Sequence, residues 1–220
     1  MREKTREYLN SLLPQDSEYK RVQPLLEYKQ DAKEHLYPVI HDDTLQLIRV
    51  MIKTSEAKKM LEVGTAVGAS AMLFSSFMGE DSKIITIERD PDSHAKAVEN
   101  ISSYGYSDRI TPLLGEAEPI VSEMTETMAG TFDIVFLDGA KGHYIYLLDD
   151  CVKLLRPGGL LIADNVLFRG MVSGADKLIR RKITIVKRLR KFLIAINNRE
   201  DIISSVLPIG DGVSVSVKVK

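Results

Sequence analysis

Leu61-Glu62-Val63-Gly64-Thr65-Ala66-Val67-Gly68-Ala69-Ser70 is the stretch on which the fold turns. A short apolar run over 60–63 stops at Gly64, and a helical stretch opens near residue 69. Glycines at such a junction let the backbone approach a ligand, and the helix N-terminus offers free N–H donors. The turn is not a clean Gly-x-Gly-x-x-Gly. By itself it leaves open a nicotinamide or flavin enzyme, and equally a tight turn with no ligand.

The pattern repeats outward from there. Further apolar runs lie at 84–87, Ile110–Leu114, 134–137 and 160–163, with helical stretches at 69–79, 91–104, 116–128 and 143–155. The first four runs each end at an acidic residue or a glycine turn, and the fifth ends at Asp164. Such alternation implies right-handed crossovers and an α/β fold, a mainly parallel sheet with helices on both faces. Ligands then sit at the carboxyl ends of the strands.

Residues 1–54 read as helices, with apolar spacing over 25–36 and 45–52, Pro38 between them, and Asp42 or Asp43 as a cap. At the other end, 177–198 reads as one long basic helix. Two runs follow, Ile202–Leu207 and 213–219, separated by Pro208-Ile209-Gly210-Asp211-Gly212. Val213, Val215, Val217 and Val219 alternate with polar residues, so the pair reads as an antiparallel hairpin on the sheet edge, giving seven strands.

A chain of 220 residues, 44% hydrophobic and 28% charged, fits one globular domain: helices over 1–54 and a Rossmann-like core over 55–220. The net charge of -1 selects no partner, and the single cysteine excludes an intrachain disulfide. The opening MREKTREYLN has no apolar stretch of the signal-peptide kind, and no apolar run approaches the ~20 residues of a membrane span. A cytoplasmic protein without membrane contact is expected.

Chemistry concentrates at the strand ends. Ile87-Glu88-Arg89-Asp90 places an acid about twenty positions past the glycine turn, where it can accept hydrogen bonds from two ribose hydroxyls. The run 132–137 ends in Asp138-Gly139-Ala140-Lys141-Gly142-His143-Tyr144, and the next ends in Asp164-Asn165-Val166-Leu167. Adjacent parallel strands put Asp138, Asp164 and Asn165 at one edge. Two carboxylates and an amide oxygen suit Mg2+, Mn2+ or Ca2+. Either acid alone would more often be a strand-end cap. Residues 177–191 hold Lys177, Arg180, Arg181, Lys182, Lys187, Arg188, Arg190 and Lys191 with no acid among them. A charge run is usually a solvated helix face, but this one can grip phosphates. Phe168 and Phe192 flank it, so a stacking platform for bases is not evident.

The order Glu-Val-Gly-Thr, Ile-Glu-Arg, Gly115-Glu116-Ala117, Leu137-Asp138 resembles the successive motifs of class I methyltransferases, whose cofactor is S-adenosylmethionine. The resemblance implies that Glu88 binds the ribose, that Glu116 and Ala117 lie beside the adenine, and that Gly64 and Ser70 line the methionine part. Glu62, Thr65, Ile40 and Asp138 join the cofactor site. Relatives usually carry Asp where Glu116 stands. LEVGTAVGAS, DGAKGHY and ADNVL together resemble the metal-dependent O-methyltransferases that include catechol and caffeoyl-CoA O-methyltransferases, from about residue 35 to the end. That family implies Asp138, Asp164 and Asn165 as metal ligands, Lys141 as general base or orienting cation, and a homodimer. It often has Asp where Gly139 or Ala140 stands. Tyr144 is expected to pack or cap, and His143 is given no metal role.

Asp164-Asn165-Val166-Leu167-Phe168-Arg169-Gly170-Met171-Val172, the Arg-Arg-Lys run and Leu207-Pro208-Ile209-Gly210-Asp211-Gly212-Val213 resemble the bacterial branch that methylates 5-hydroxyuridine in tRNA. This implies a wobble base splayed from the anticodon loop, with Arg169, Arg180, Arg181 and Lys182 on the RNA. Two other readings stand beside it: a small-molecule catechol-type or caffeoyl-CoA-like O-methyltransferase, and an RNA-binding protein without turnover.

Overall fold

The computed structural model describes Lys4, Tyr8, Ser11, Leu12, Pro14 and residues 16–220. Most of the helical segment expected before residue 16 lies outside the described residues. Among the described residues, helices α1 (Ser17–Arg21), α2 (Gln23–Glu34) and α3 (Asp42–Ser55) precede the sheet. Asp16 caps α1 by accepting the Tyr19 N–H. His41, not Asp42 or Asp43, occupies the cap position of α3. The two acids lie in its first turn, where they favour the helix dipole. Asp42 pairs with Lys29, and Asp43 accepts the Thr44 and Gly210 N–H groups.

The alternating core follows in order: β1 (Lys59–Val63), α4 (Ala69–Met78), β2 (Lys83–Glu88), α5 (Pro91–Ser103), β3 (Ile110–Leu114), α6 (Ala117–Met128), β4 (Phe132–Leu137), α7 (Tyr144–Leu154) and β5 (Leu155–Ala163). Helix α8 (Ile183–Asn198) and strands β6 (Ile202–Leu207) and β7 (Val213–Lys218) complete the chain. The seven strands lie in the order β3-β2-β1-β4-β5-β7-β6. The first five are parallel, and β7 runs antiparallel to both β5 and β6. The chain winds outward from β1 to β3, then returns to the other side of β1 for β4. That reversal opens a crevice beyond the carboxyl ends of β1 and β4.

Period-two alternation sends strand residues to two cores. Leu61, Val135 and Leu137 pack with Leu147, Leu189 and Phe192 on one face. Met60, Ile134 and Phe136 pack with Ile48, Met72 and Phe74 on the other. Each such side chain contributes roughly 1.5–3 kcal/mol on burial. Phe74 meets Phe136 edge-on at 5.4 Å between centroids. No helix among the described residues is long and apolar enough to cross a membrane.

The basic stretch departs from its expected form. Residues 177–179 are irregular, Arg180–Lys182 make one 3-10 turn, and the α-helix begins only at Ile183. Four cations at a helix N-terminus oppose the macrodipole, and no side chain caps it, so the first turns stay unwound.

Candidate functional site

Backbone hydrogen bonds continue past the sheet and lock the strand tips together. Gly115 N–H donates to Glu88 O, Gly64 to Ile87 O, Asp138 to Val63 O and Asp164 to Leu137 O, each at 2.9 Å. A cavity of about 310 Å³ lies against these tips. Ile40, Gly64, Thr65, Ser70, Glu88, Glu116, Ala117, Asp138 and Lys141 all line it. Gly64 has φ +105, and a Cβ there would lie 2.7 Å from the Asp138 carbonyl oxygen. Only glycine lets the β1 turn lie flat against the end of β4.

Glu88 braces the turn it faces. Its Oε2 accepts the Ala66 N–H at 2.9 Å, and its Oε1 accepts those of Arg89 and Asp90 at 2.9 and 3.0 Å.

Glu62 corrects a sequence expectation, because it lies behind the cavity wall rather than in it. It is fully buried, in register with Thr86 on β2. Its Oε1 accepts the Ser70 hydroxyl and its Oε2 the Thr86 hydroxyl, both at 2.6 Å. Thr86 in turn meets the Thr65 hydroxyl at 2.6 Å. Burial pushes the Glu62 carboxyl up to about 7, although these hydroxyls pull the other way. Its task is to orient Ser70 and Thr65.

Asp138, Asp164 and Asn165 come to one edge, as adjacent strand tips require. Asp164 and Asn165 are buried, and Asp164 accepts the Asn165 N–H at 2.6 Å. Asn165 has φ +57, a conformation that asparagine tolerates better than most residues. The hairpin loop braces this segment, with Val166 N–H on Gly212 O and Leu167 N–H on Asp211 O, both at 2.9 Å. The Tyr144 hydroxyl lies within 3.1 Å of the Leu137 carbonyl and 3.3 Å of the Asp164 carbonyl, tying the two strands from below. Burial raises both carboxyls, and the charge of Asp164 raises Asp138 further. The Lys141 charge acts in the opposite direction on both.

This donor set fits a hard divalent cation. Among the described residues no three His, Cys, Asp or Glu side chains converge, so a third protein donor for a cation at this edge would have to be another oxygen, and the Asn165 amide could supply it. Lys141 sits in a 3-10 turn, Lys141–His143, and makes no ion pair among the described residues.

The cationic residues flank this edge. Arg169, at φ +54, is exposed on the loop after Asn165, and Arg180 and Arg181 are exposed beyond it. Lys182 lies over the Phe168 ring at 5.7 Å, and the Arg188 guanidinium over Tyr146 at 5.1 Å. Arg188 Nη1 also reaches the Gly142 carbonyl at 3.5 Å. Arg190 is spent on the carbonyls of Val172 and Met171. None of the eight cations over 177–191 pairs with an acid among the described residues. The fold thus supplies aromatic neighbours that the linear stretch lacks, since Tyr146 comes from α7.

Sequence reasoning gave Glu118, His143 and Asp211 no part in the site, and reached His41 only through the Val39-Ile40-His41 segment that the resemblance sets near the cofactor. His143 and Glu118 both line the cavity and bond to one another. The charge of His41 lowers Asp164, and Asp211 raises it. They come from a helix start, a 3-10 turn and two loops, and their convergence carries no local sequence signal.

A profile described as O-methyltransferase matches residues 18–219. Caffeoyl-CoA O-methyltransferase 2 of Zea mays is 29% identical over 184 residues, covering 81% of this chain and 69% of that protein. The crystal structure of a Staphylococcus aureus protein assigned as a caffeoyl-CoA O-methyltransferase superposes with a TM-score of 0.86 at 26% identity, covering 98% of this chain and all of that one. The Streptomyces achromogenes O-methyltransferase TomG, solved in complex with SAM, superposes with a TM-score of 0.80 at 23% identity over the full length of both chains.

Proposed function

We propose that this chain, which belongs to the O-methyltransferase family, uses S-adenosylmethionine and a divalent cation to methylate 5-hydroxyuridine at the wobble position of tRNA. S-adenosylmethionine would supply a methyl group on a sulfonium: an oxygen nucleophile attacks the methyl carbon in line, the O–C bond forms as the C–S bond breaks, and S-adenosylhomocysteine leaves. The TomG complex supports placing this donor in the cavity at the tips of β1 and β2. On this reading Glu88 takes the ribose, Glu116 and Ala117 lie beside the adenine, and Ser70, hydrogen-bonded to Glu62, meets the methionine part; that Glu88, Glu116, Ala117 and Ser70 all line one cavity supports it.

A divalent cation held by Asp138, Asp164 and Asn165 would lower the pKa of a bound hydroxyl and fix a neighbouring oxygen. Lys141 stands on the cavity wall beside Asp138, where its amine can take the hydroxyl proton or hold the oxyanion. In 5-hydroxyuracil the hydroxyl lies beside the 4-carbonyl oxygen, so the base presents two vicinal oxygens as a catechol does.

The observation that carries the RNA reading is the run of eight cations, without acidic partners among the described residues, beside Lys141–His143 and the loop after Asn165. Such a surface suits the backbone of a single-stranded loop. The test is nucleoside mass analysis of tRNA lacking 5-methoxyuridine, incubated with the protein and S-adenosylmethionine with and without Mg2+. Conversion of 5-hydroxyuridine to 5-methoxyuridine that requires metal is expected. No product from any hydroxylated tRNA, with transfer to caffeate-like catechols instead, would overturn the RNA substrate.

A further inference from the structure

We infer that His143 is a positioning residue, which together with Glu118 clasps one wall of the cavity to the turn that carries Lys141. The inference rests on the methyl-transfer reading above and adds a part to that site.

Glu118 stands in the first turn of α6, directly after Glu116 and Ala117 on the cavity wall. His143 closes the 3-10 turn that begins with Lys141. The two are 25 positions apart in the chain, yet the His143 Nδ1 is hydrogen-bonded to the Glu118 carboxylate. Both line the cavity. The bond spans from the α6 side of the cavity to the β4 side.

The Lys141 turn has few other ties. His143 N–H donates to the Ala140 carbonyl at 2.7 Å within the turn itself. Arg188 reaches the Gly142 carbonyl only at 3.5 Å. No other side-chain hydrogen bond touches 139–143 among the described residues. His143 also meets Tyr146 edge-on at 6.0 Å, and Tyr146 lies under Arg188. The turn is therefore held between Glu118 on the cofactor side and Arg188 on the cationic side. Both partners of the clasp are 44% exposed, so the pair adds little to global stability. Its effect belongs instead to placement, since a small displacement of a reacting group costs rate steeply.

The test uses His143→Ala, Glu118→Ala, Glu118→Gln and the double alanine variant of the full chain. His143→Ala and Glu118→Ala should each lower kcat/KM about tenfold, mainly through kcat, and the double variant should lose no more than either alone. Glu118→Gln should retain most activity, because its amide oxygen still accepts from Nδ1. Thermal midpoints should stay within about two degrees of the parent. Affinity for S-adenosylhomocysteine, measured without acceptor, should fall about fivefold in both alanine variants and not in Glu118→Gln. That binding arm holds whatever acceptor the enzyme prefers, so failure of the clasp is distinguishable from failure of the substrate reading. Unchanged affinity in both alanine variants, losses that multiply in the double variant, or losses that track a falling midpoint would overturn the clasp.

Discussion

Asp138 and Asp164 stand at the tips of adjacent parallel strands, each one residue beyond the last registered pair, Leu137 and Ala163. Strand geometry forces two carboxylates into one buried corner. Burial and the charge of Asp164 act on Asp138 together, and Lys141 opposes them. A corner of this kind is costly to the protein alone and favourable around a cation.

Replacing one of these acids should therefore separate stability from activity. Asp138→Asn removes one of two carboxyls that repel when both are ionised. Its thermal midpoint in chelator should equal or exceed that of the parent, while methyl transfer falls at least about 100-fold. Calorimetry and initial rates on the same preparations check both halves. A large fall in midpoint would mean that Asp138 is a structural residue.

Glu62 gives a pH dependence that belongs to folding. Its carboxyl is raised from 4.5 to about 7 in the folded chain. The folded state then holds a proton that the unfolded state has released, so stability falls as pH rises between those values. The difference between the ends of this window is on the order of 3 kcal/mol. Denaturant unfolding at pH 5 and pH 8 should show this loss in the parent and little of it in Glu62→Gln.

Gly64→Ala tests the close approach of β1 and β4. The added Cβ would lie 2.7 Å from the Asp138 oxygen and 2.8 Å from the Gly139 nitrogen, at a φ that alanine disfavours. A destabilisation of roughly 2–4 kcal/mol is expected, with loss of cofactor binding, because Asp138 must move. Unfolding midpoints and S-adenosylhomocysteine titration measure the two effects.

Much of this architecture is legible in the chain. The runs ending at Gly64, Glu88 and Asp138 identify three strands by length and by their polar ends, because a buried parallel strand leaves few alternatives. Asp138, Asp164 and Asn165 can be placed together for the same reason. The depth of Glu62 is not legible, because periodicity assigns a residue to a face of the sheet but not to a layer, and its partner Thr86 comes from another strand. The basic stretch reads as one helix because apolar spacing registers the buried stripe and ignores the dipole that four leading cations oppose. The bond between His143 and Glu118 has no sequence signal at all, since loop closure sets it.

Arg180 and Arg181 are exposed and form no ion pair among the described residues. Reversing both to Glu should weaken binding to an anticodon stem-loop and lower the salt slope by about one for each phosphate no longer neutralised. Affinity for S-adenosylhomocysteine should not change. Fluorescence anisotropy across a salt series measures this, and an unaltered slope would remove these residues from the RNA surface.

The most direct test is Mn2+ binding followed by electron paramagnetic resonance, with S-adenosylhomocysteine present. One Mn2+ per chain is predicted, lost in Asp138→Ala, Asp164→Ala and Asn165→Ala and retained in Lys141→Ala. No bound Mn2+ in the parent, or binding undiminished by all three substitutions, would contradict a cation held between Asp138, Asp164 and Asn165.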